Sequence, residues 1–206
     1  KRAVTQVVSP GIPYDLNQAD HTQNFYLCSA YSIEDFFSVS FIDFSTGKFF
    51  GFDNQPKQEF LNLLGKYLPK EIIVYPGQFA RDNEIESCID QLGILRNILS
   101  EDYFHPINGD HQLKKFIPNY EQDKIIKKSN CLKKSLCGLT NYFGNTQGDI
   151  EVNHLEEFRY ISTENHLKVS TQTLEGLEII PKDASLKKSS LLGLCDQTKT
   201  SMGKRQ

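Results

Sequence analysis

Tryptophan is absent from this 206-residue chain, and methionine occurs once, as Met202. No run approaches the ~20 consecutive apolar residues that a membrane-spanning helix requires, so no such helix is expected and no membrane is expected among the partners. Cysteine is sparse: Cys28, Cys88, Cys131, Cys137 and Cys195 are odd in number, scattered and never spaced as C-x-x-C. Zinc sites draw their ligands in closely spaced pairs, and secreted disulfide scaffolds use an even, dense set. Neither is expected here, and reduced thiols of a cytosolic-type protein are. Histidines 21, 105, 111, 154 and 166 show neither H-x-x-x-H nor H-x-x-E-H spacing, so no metal site is expected. A G-x-S-x-G nucleophile elbow is missing. The Gly-Lys pairs beginning at Gly47, Gly65 and Gly203 lack both the upstream glycine and the following Ser/Thr of a phosphate-binding P-loop, so ATP is not expected to bind by that route.

Charge of a single sign is lacking as well. A net charge of -3 argues against a dedicated nucleic-acid module, which would carry a strongly basic face. Basic residues do gather locally. Lys114, Lys115, Lys124, Lys127, Lys128, Lys133 and Lys134 stand against Glu121 and Asp123, a stretch that could touch phosphates or form a solvated helix face, the second being favoured because no single-sign helical stripe emerges. A second basic run follows Lys182, where six Lys/Arg face two Asp.

What is present is an ordinary globular composition, 38% hydrophobic and 24% charged, long enough for one generous domain or one domain plus part of another. The chain opens on Lys1 without a signal-peptide core, and ends on "LLGLCDQTKTSMGKRQ" without a helix stop; it is read as a piece of a longer polypeptide.

A first strand, "KRAVTQVV", is followed by a turn-rich linker from Val8 to Gln23. Three strands are then expected at Phe25–Tyr31, Phe37–Phe44 and Lys48–Phe52. The first is apolar on both faces, as in a central strand, and "DFSTGKFF" is a hairpin turn that makes the neighbours antiparallel. Phe60, Leu63, Leu64 and Tyr67 at i, i+3, i+4, i+7 predict a helix opening near Pro56 and closing by Pro69. "EIIVY" is a buried strand, and Asp82 is an N-cap for a helix carrying Ile85, Ile89 and Leu92 and stopping at Gly93. "ILRNIL" is a last strand. The result is a mixed sheet with helices packed on it, an α/β arrangement. From Asn108 the chain turns helical; Leu132, Leu136, Leu139 and Phe143 recur at helical spacing with Gly144 as terminator. "FRYISTENHLKV" reads as a small hairpin turning at Glu164–Asn165, beyond a domain boundary near residue 150.

The one candidate for chemistry is Asp43 in "FIDFSTG", placed where a metal-dependent nuclease could hold a carboxylate. Two-metal chemistry needs several converging carboxylates. "KFFGF" and "IIVYPGQF" are bare of acids, so a turn-stabilising role for Asp43 is favoured.

"SLLGLCDQTKTSMGKR" resembles a signature of the MutS family of DNA mismatch-repair proteins, S-L-L-x-x-L-D-x-T-x-T-x-M-G-x-R, which begins a core-domain helix. Ser190, Leu191, Leu194, Asp196, Thr198, Thr200, Met202, Gly203 and Arg205 carry the match, and Cys195 departs from the usual leucine. In order before it, "VVSPGI" is similar to the strand and linker leaving the mismatch-reading domain, and "FIDFSTGKF" to the D-x-S-T-G hairpin of the connector domain. "LEGLEI" is similar to the T-x-x-N-L-E segment of the core, with Ser170 and Gly176 departing from it.

The resemblance implies residues 1–23 as the end of the mismatch-reading domain and linker. Residues 24–150 are then a connector with a ribonuclease H-like fold without nuclease activity, and 151–206 the mostly helical, incomplete start of the core. The F-x-E wedge of the family is absent, since no Phe is followed two positions later by Glu. No catalytic, metal or nucleotide-binding residue and no cofactor is implied for this piece; ATP and magnesium are implied for the intact protein. So are a cytoplasmic, DNA-associated location, mismatched duplex DNA as target, dimerisation and the MutL partner. "GDHQLKKF" resembles the exposed connector segment implicated in MutL contact, which singles out His111, Gln112, Lys114 and Lys115.

Overall fold

The computed structural model describes residues 24–43, 45–80, 82–147, 155–163, 169, 171–200 and 203. The first strand, the linker, the 150 boundary and the Glu164–Asn165 turn therefore lie outside the described residues.

Strands β1 (Tyr26–Ile33), β2 (Phe36–Asp43) and β3 (Phe49–Pro56) form an antiparallel meander. Helix α1 (Lys57–Tyr67) follows at once, because Pro56 sits just before its first turn and lacks only an N–H that the helix leaves unpaired anyway. Leu68 closes it in the left-handed region at φ 44°. Strand β4 (Glu71–Val74) then pairs parallel with β1. Helix α2 (Asn83–Gln91) is capped by Asp82, whose carboxylate accepts from the Glu84 and Ile85 amides, and Gly93 follows it at φ 67°. Strand β5 (Leu95–Ile98) pairs parallel with β4. The sheet order is β5-β4-β1-β2-β3 with β6 (Arg159–Tyr160) added at the far edge. β6 runs parallel to β3, through Phe50–Arg159 and Gly51–Tyr160, and the return strand of the hairpin expected for this segment lies outside the described residues.

One face of the sheet is aromatic. Tyr26, Phe41, Phe50, Phe52 and Tyr67 cluster, and Phe37 stacks on Phe60 at 4.7 Å under α1 and α2. The other face takes a short 3-10 turn (Glu101–Phe104) and the helices α3 (Pro106–Phe116), α4 (Lys124–Lys128) and α5 (Asn130–Gln147). Alternation in β2 places Phe37, Val39 and Phe41 toward α1, and its serines meet α5 rather than water. Ser40 Oγ lies 2.8 Å from Ser135 Oγ, and Ser135 Oγ donates to the Ser29 carbonyl at 2.7 Å. Gly138 of α5 lies so close that a Cβ there would stand 2.5 Å from Phe104 and 2.8 Å from Ser29 Oγ.

Gly144 does not end α5, as its position after Phe143 suggested; the helix continues to Gln147. Gly144 instead admits the Gln112 side chain of α3, which would be 2.6 Å from a Cβ. Beyond the sheet come α6 (Thr171–Gly176), a 3-10 turn (Ala184–Ser189) and the five-residue α7 (Leu191–Cys195), capped by Ser190 Oγ on the Gly193 amide. The signature expected to open a helix thus does so, briefly.

Replacing Gly138 by Ala is expected to destabilise the chain by about 1–3 kcal/mol through overpacking. Gly144→Ala should cost less, because the flexible end of Gln112 can shift. Urea midpoints of the two variants check the order. A second outcome concerns acid. Lys57 beside Asp82, at 2.8 Å, holds that carboxyl below its ordinary value of 3.8, with the capped amides adding to the effect. A depressed folded-state pKa contributes stability above the unfolded value that is lost as pH falls through the folded one. Asp82→Asn, which keeps a capping oxygen, should therefore flatten the loss of stability below pH 3.8, measured by urea titration down to acid pH.

Candidate functional site

Asp43 ends β2 and is fully buried. Its Oδ1 accepts from the amides of Phe25 (3.3 Å) and Ser45 (2.9 Å) and from Ser45 Oγ (2.7 Å), and its Oδ2 accepts from Thr46 Oγ1 (2.8 Å). Gly47, at φ 80°, turns the chain so that its amide donates to the Asp43 carbonyl at 2.8 Å. Both carboxylate oxygens are thereby engaged within the turn. Among the described residues no three His, Cys, Asp or Glu side chains stand close enough to hold a metal ion.

A second buried carboxyl, Glu71 at the start of β4, gave no sequence signal beyond being an acid beside an apolar run. It accepts from Tyr142 Oη at 2.7 Å and from Asn97 Nδ2, and Asn97 Nδ2 also reaches Tyr142 Oη at 2.7 Å, tying β4 and β5 to α5. The thiols are poorly suited to nucleophilic work. Burial pushes Cys137 up to about 12 and raises Cys28 and Cys131, so these sulfurs stay protonated at neutral pH.

The four residues singled out for partner contact all lie on α3, and the fold treats them differently. Gly109 and Leu113 form the inward face, Gly109 against Cys137 and Asn141 of α5. Gln112 also turns inward, against Gly144, with its Oε1 buried. Lys114 bridges Asp110 at 2.8 Å and Glu121 at 3.1 Å, which raises its pKa, and Asp110 in turn accepts from Tyr120 Oη. His111 and Lys115 are exposed. They continue an i, i+4, i+8 ridge that starts at Ile107, an isoleucine 82% exposed. Sequence reasoning missed Ile107, whose signal was an apolar residue out of phase with Leu113.

The basic stretch is likewise divided. Lys134 Nζ donates to Tyr31 Oη at 2.7 Å and lies 4.4 Å from the centre of that ring, while Lys133 lies 4.9 Å from the Tyr120 ring centre. Lys124, Lys127 and Lys128 remain exposed on α4. These lysines do not form one stripe.

An antiparallel β1–β3 meander with β4 and β5 joined in parallel beside β1, and helices on both faces, is a ribonuclease H-like α/β module. Here the carboxylate at the candidate catalytic position serves the turn. The chain belongs to the MutS family, whose domain II description matches residues 25–156. Similar proteins include the DNA mismatch repair protein MutS of Ruminiclostridium cellulolyticum, 30% identical over 216 residues. Those of Caldicellulosiruptor saccharolyticus and Clostridium novyi are 29% and 28% identical over 207 and 212 residues. Each alignment covers 100% of this chain and 22–24% of the relative, so the chain spans about a quarter of the length of the relatives it matches.

Asp43→Ala is expected to lower stability by about 1–3 kcal/mol, because several part-buried donors lose their acceptor at once. Chemical denaturation checks this, and an unchanged midpoint would show that the turn does not need the carboxylate.

Proposed function

We propose that this chain is the non-catalytic connector, with the start of the core, of a MutS-type DNA mismatch repair ATPase. In this reading residues 1–23 end the mismatch-reading domain, 24–150 form the connector and 151–206 begin the core. The observation that carries it is the alignment of the whole chain within proteins named DNA mismatch repair protein MutS. The connector couples mismatch recognition to ATP-driven clamp movement and docks MutL, in a dimeric, cytoplasmic protein acting on mismatched duplex DNA. ATP and its magnesium are bound elsewhere than in this chain. Gly47-Lys48 lies beside the β2–β3 turn and Gly65-Lys66 inside α1, so neither has the strand-to-helix loop that cradles phosphate.

For MutL, the outward ridge of α3 supports docking through His111 and Lys115, with Lys114 at its flank and Gln112 fixing the helix on α5. The exposed Ile107 gives the ridge an apolar anchor.

Retention of the chain on immobilised MutL N-terminal domain should fall at least about tenfold in a His111→Ala/Lys115→Ala variant, the loss of roughly 1.4 kcal/mol. Equal retention would sink the assignment of this ridge. In parallel, incubation with Mg²⁺ or Mn²⁺ and nucleic acid should give no cleavage, and cleavage abolished by Asp43→Asn would replace the connector reading with a nuclease.

A further inference from the structure

At the far end of the helical face, a groove of about 600 Å³ opens between the β1–β2 turn and α4. Its lining includes Ile33, Glu34 and Phe36 on the turn side and Lys124, Ile125 and Lys128 on the helix side. Three of these are apolar yet exposed, Ile33 and Phe36 at 43% and Ile125 at 36%. Glu34 holds its position at φ 56°, a left-handed conformation that keeps the turn tight and projects its flanking apolar residues. The bed is firm. Asp53 accepts from Ser38 Oγ and Ser129 Oγ, each at 2.6 Å, and Ser129 Oγ accepts from the Leu132 amide at 3.0 Å, so the β2–β3 bulge and the start of α5 are locked together beneath the groove. The ion pairs among the described residues involve none of Glu34, Lys124 and Lys128.

An apolar centre with acid on one wall and lysine on the other is its own complement. A two-fold axis running along the groove sets the acidic wall of one copy against the lysine wall of the other, twice over, and closes apolar centre on apolar centre. We propose that this groove is a homotypic docking surface, in which Glu34 of each copy pairs with Lys124 and Lys128 of a second copy while Phe36 packs into the opposite groove. The patch is small, so the contact forms at high local concentration, as when two copies are already held in one assembly.

Charge exchange tests it without dependence on MutL or DNA. Sedimentation equilibrium of the chain should show reversible dimers at high micromolar concentration. Glu34→Lys, which makes both walls basic, should weaken self-association at least tenfold, and so should Lys124→Glu/Lys128→Glu, which makes both acidic. Mixing the two variants should restore association, because each basic wall then meets an acidic one. Phe36→Ser should weaken it with charges intact. A chain that stays monomeric throughout, or dimers that neither charge reversal disturbs, would overturn the proposal, as would failure of the mixture to associate when both variants are folded by circular dichroism.

Discussion

Everything on the helical side of the molecule rests on how closely α5 approaches the centre of the sheet. Ser29 and Ser40 on the strands and Ser135 and Gly138 on the helix are small enough to bring backbone near backbone, and the Ser40 and Ser135 hydroxyls bond each other while Ser135 donates on to the Ser29 carbonyl. A larger residue at any of the four would lift the helix. Lifting it would pull Tyr142 from the Glu71 carboxyl and Asn141 from the Tyr103 carbonyl, each now held at 2.7 Å. A buried carboxyl that loses a hydrogen-bond donor is costly, so the seam and the Glu71 network support each other.

The same seam shows why parts of the molecule were legible in sequence and others were not. Elements whose cause is local could be read directly: Asp82 as a cap, Gly93 as a stop, Pro56 at a helix start, and the apolar stripe of α1 all stand where their chemistry requires. What the serines of β2 face could not be read, because alternation cannot tell solvent from a neighbouring helix with small residues. Gly144 read as a terminator for a related reason. A glycine followed by polar residues looks like a helix end until α3 is seen crossing it with Gln112. The parallel edge strand β6 depends on a partner more than 100 residues away in sequence, and no window of local pattern contains that information.

Candidate site residues were legible as a segment but not as individuals. "GDHQLKKF" does fall on an exposed helix, yet its four named side chains divide into two that face outward, one bound to acids and one packed inward. Asp43 was the reverse case. Its surroundings in sequence, Ser45, Thr46 and Gly47, already contained the donors that engage it, so the turn reading followed from neighbours, while the nuclease reading needed distant carboxylates, and among the described residues none gather there as a metal-holding cluster.

The two surfaces singled out for partners are joined by one rigid body. The groove is anchored at the first turn of α5 through Ser129, and the α3 ridge crosses the same helix between Cys137 and Gly144. At 1.5 Å per residue these anchor points stand about 10–20 Å apart along the helix. A helix seated by buried serines and a satisfied carboxyl network does not bend readily between them. Force applied at the α3 ridge therefore moves the groove as well, and a displacement at the groove is carried to the ridge. A module that offers two contact surfaces can in this way transmit a conformational state, since what it supplies is a fixed distance and angle between them.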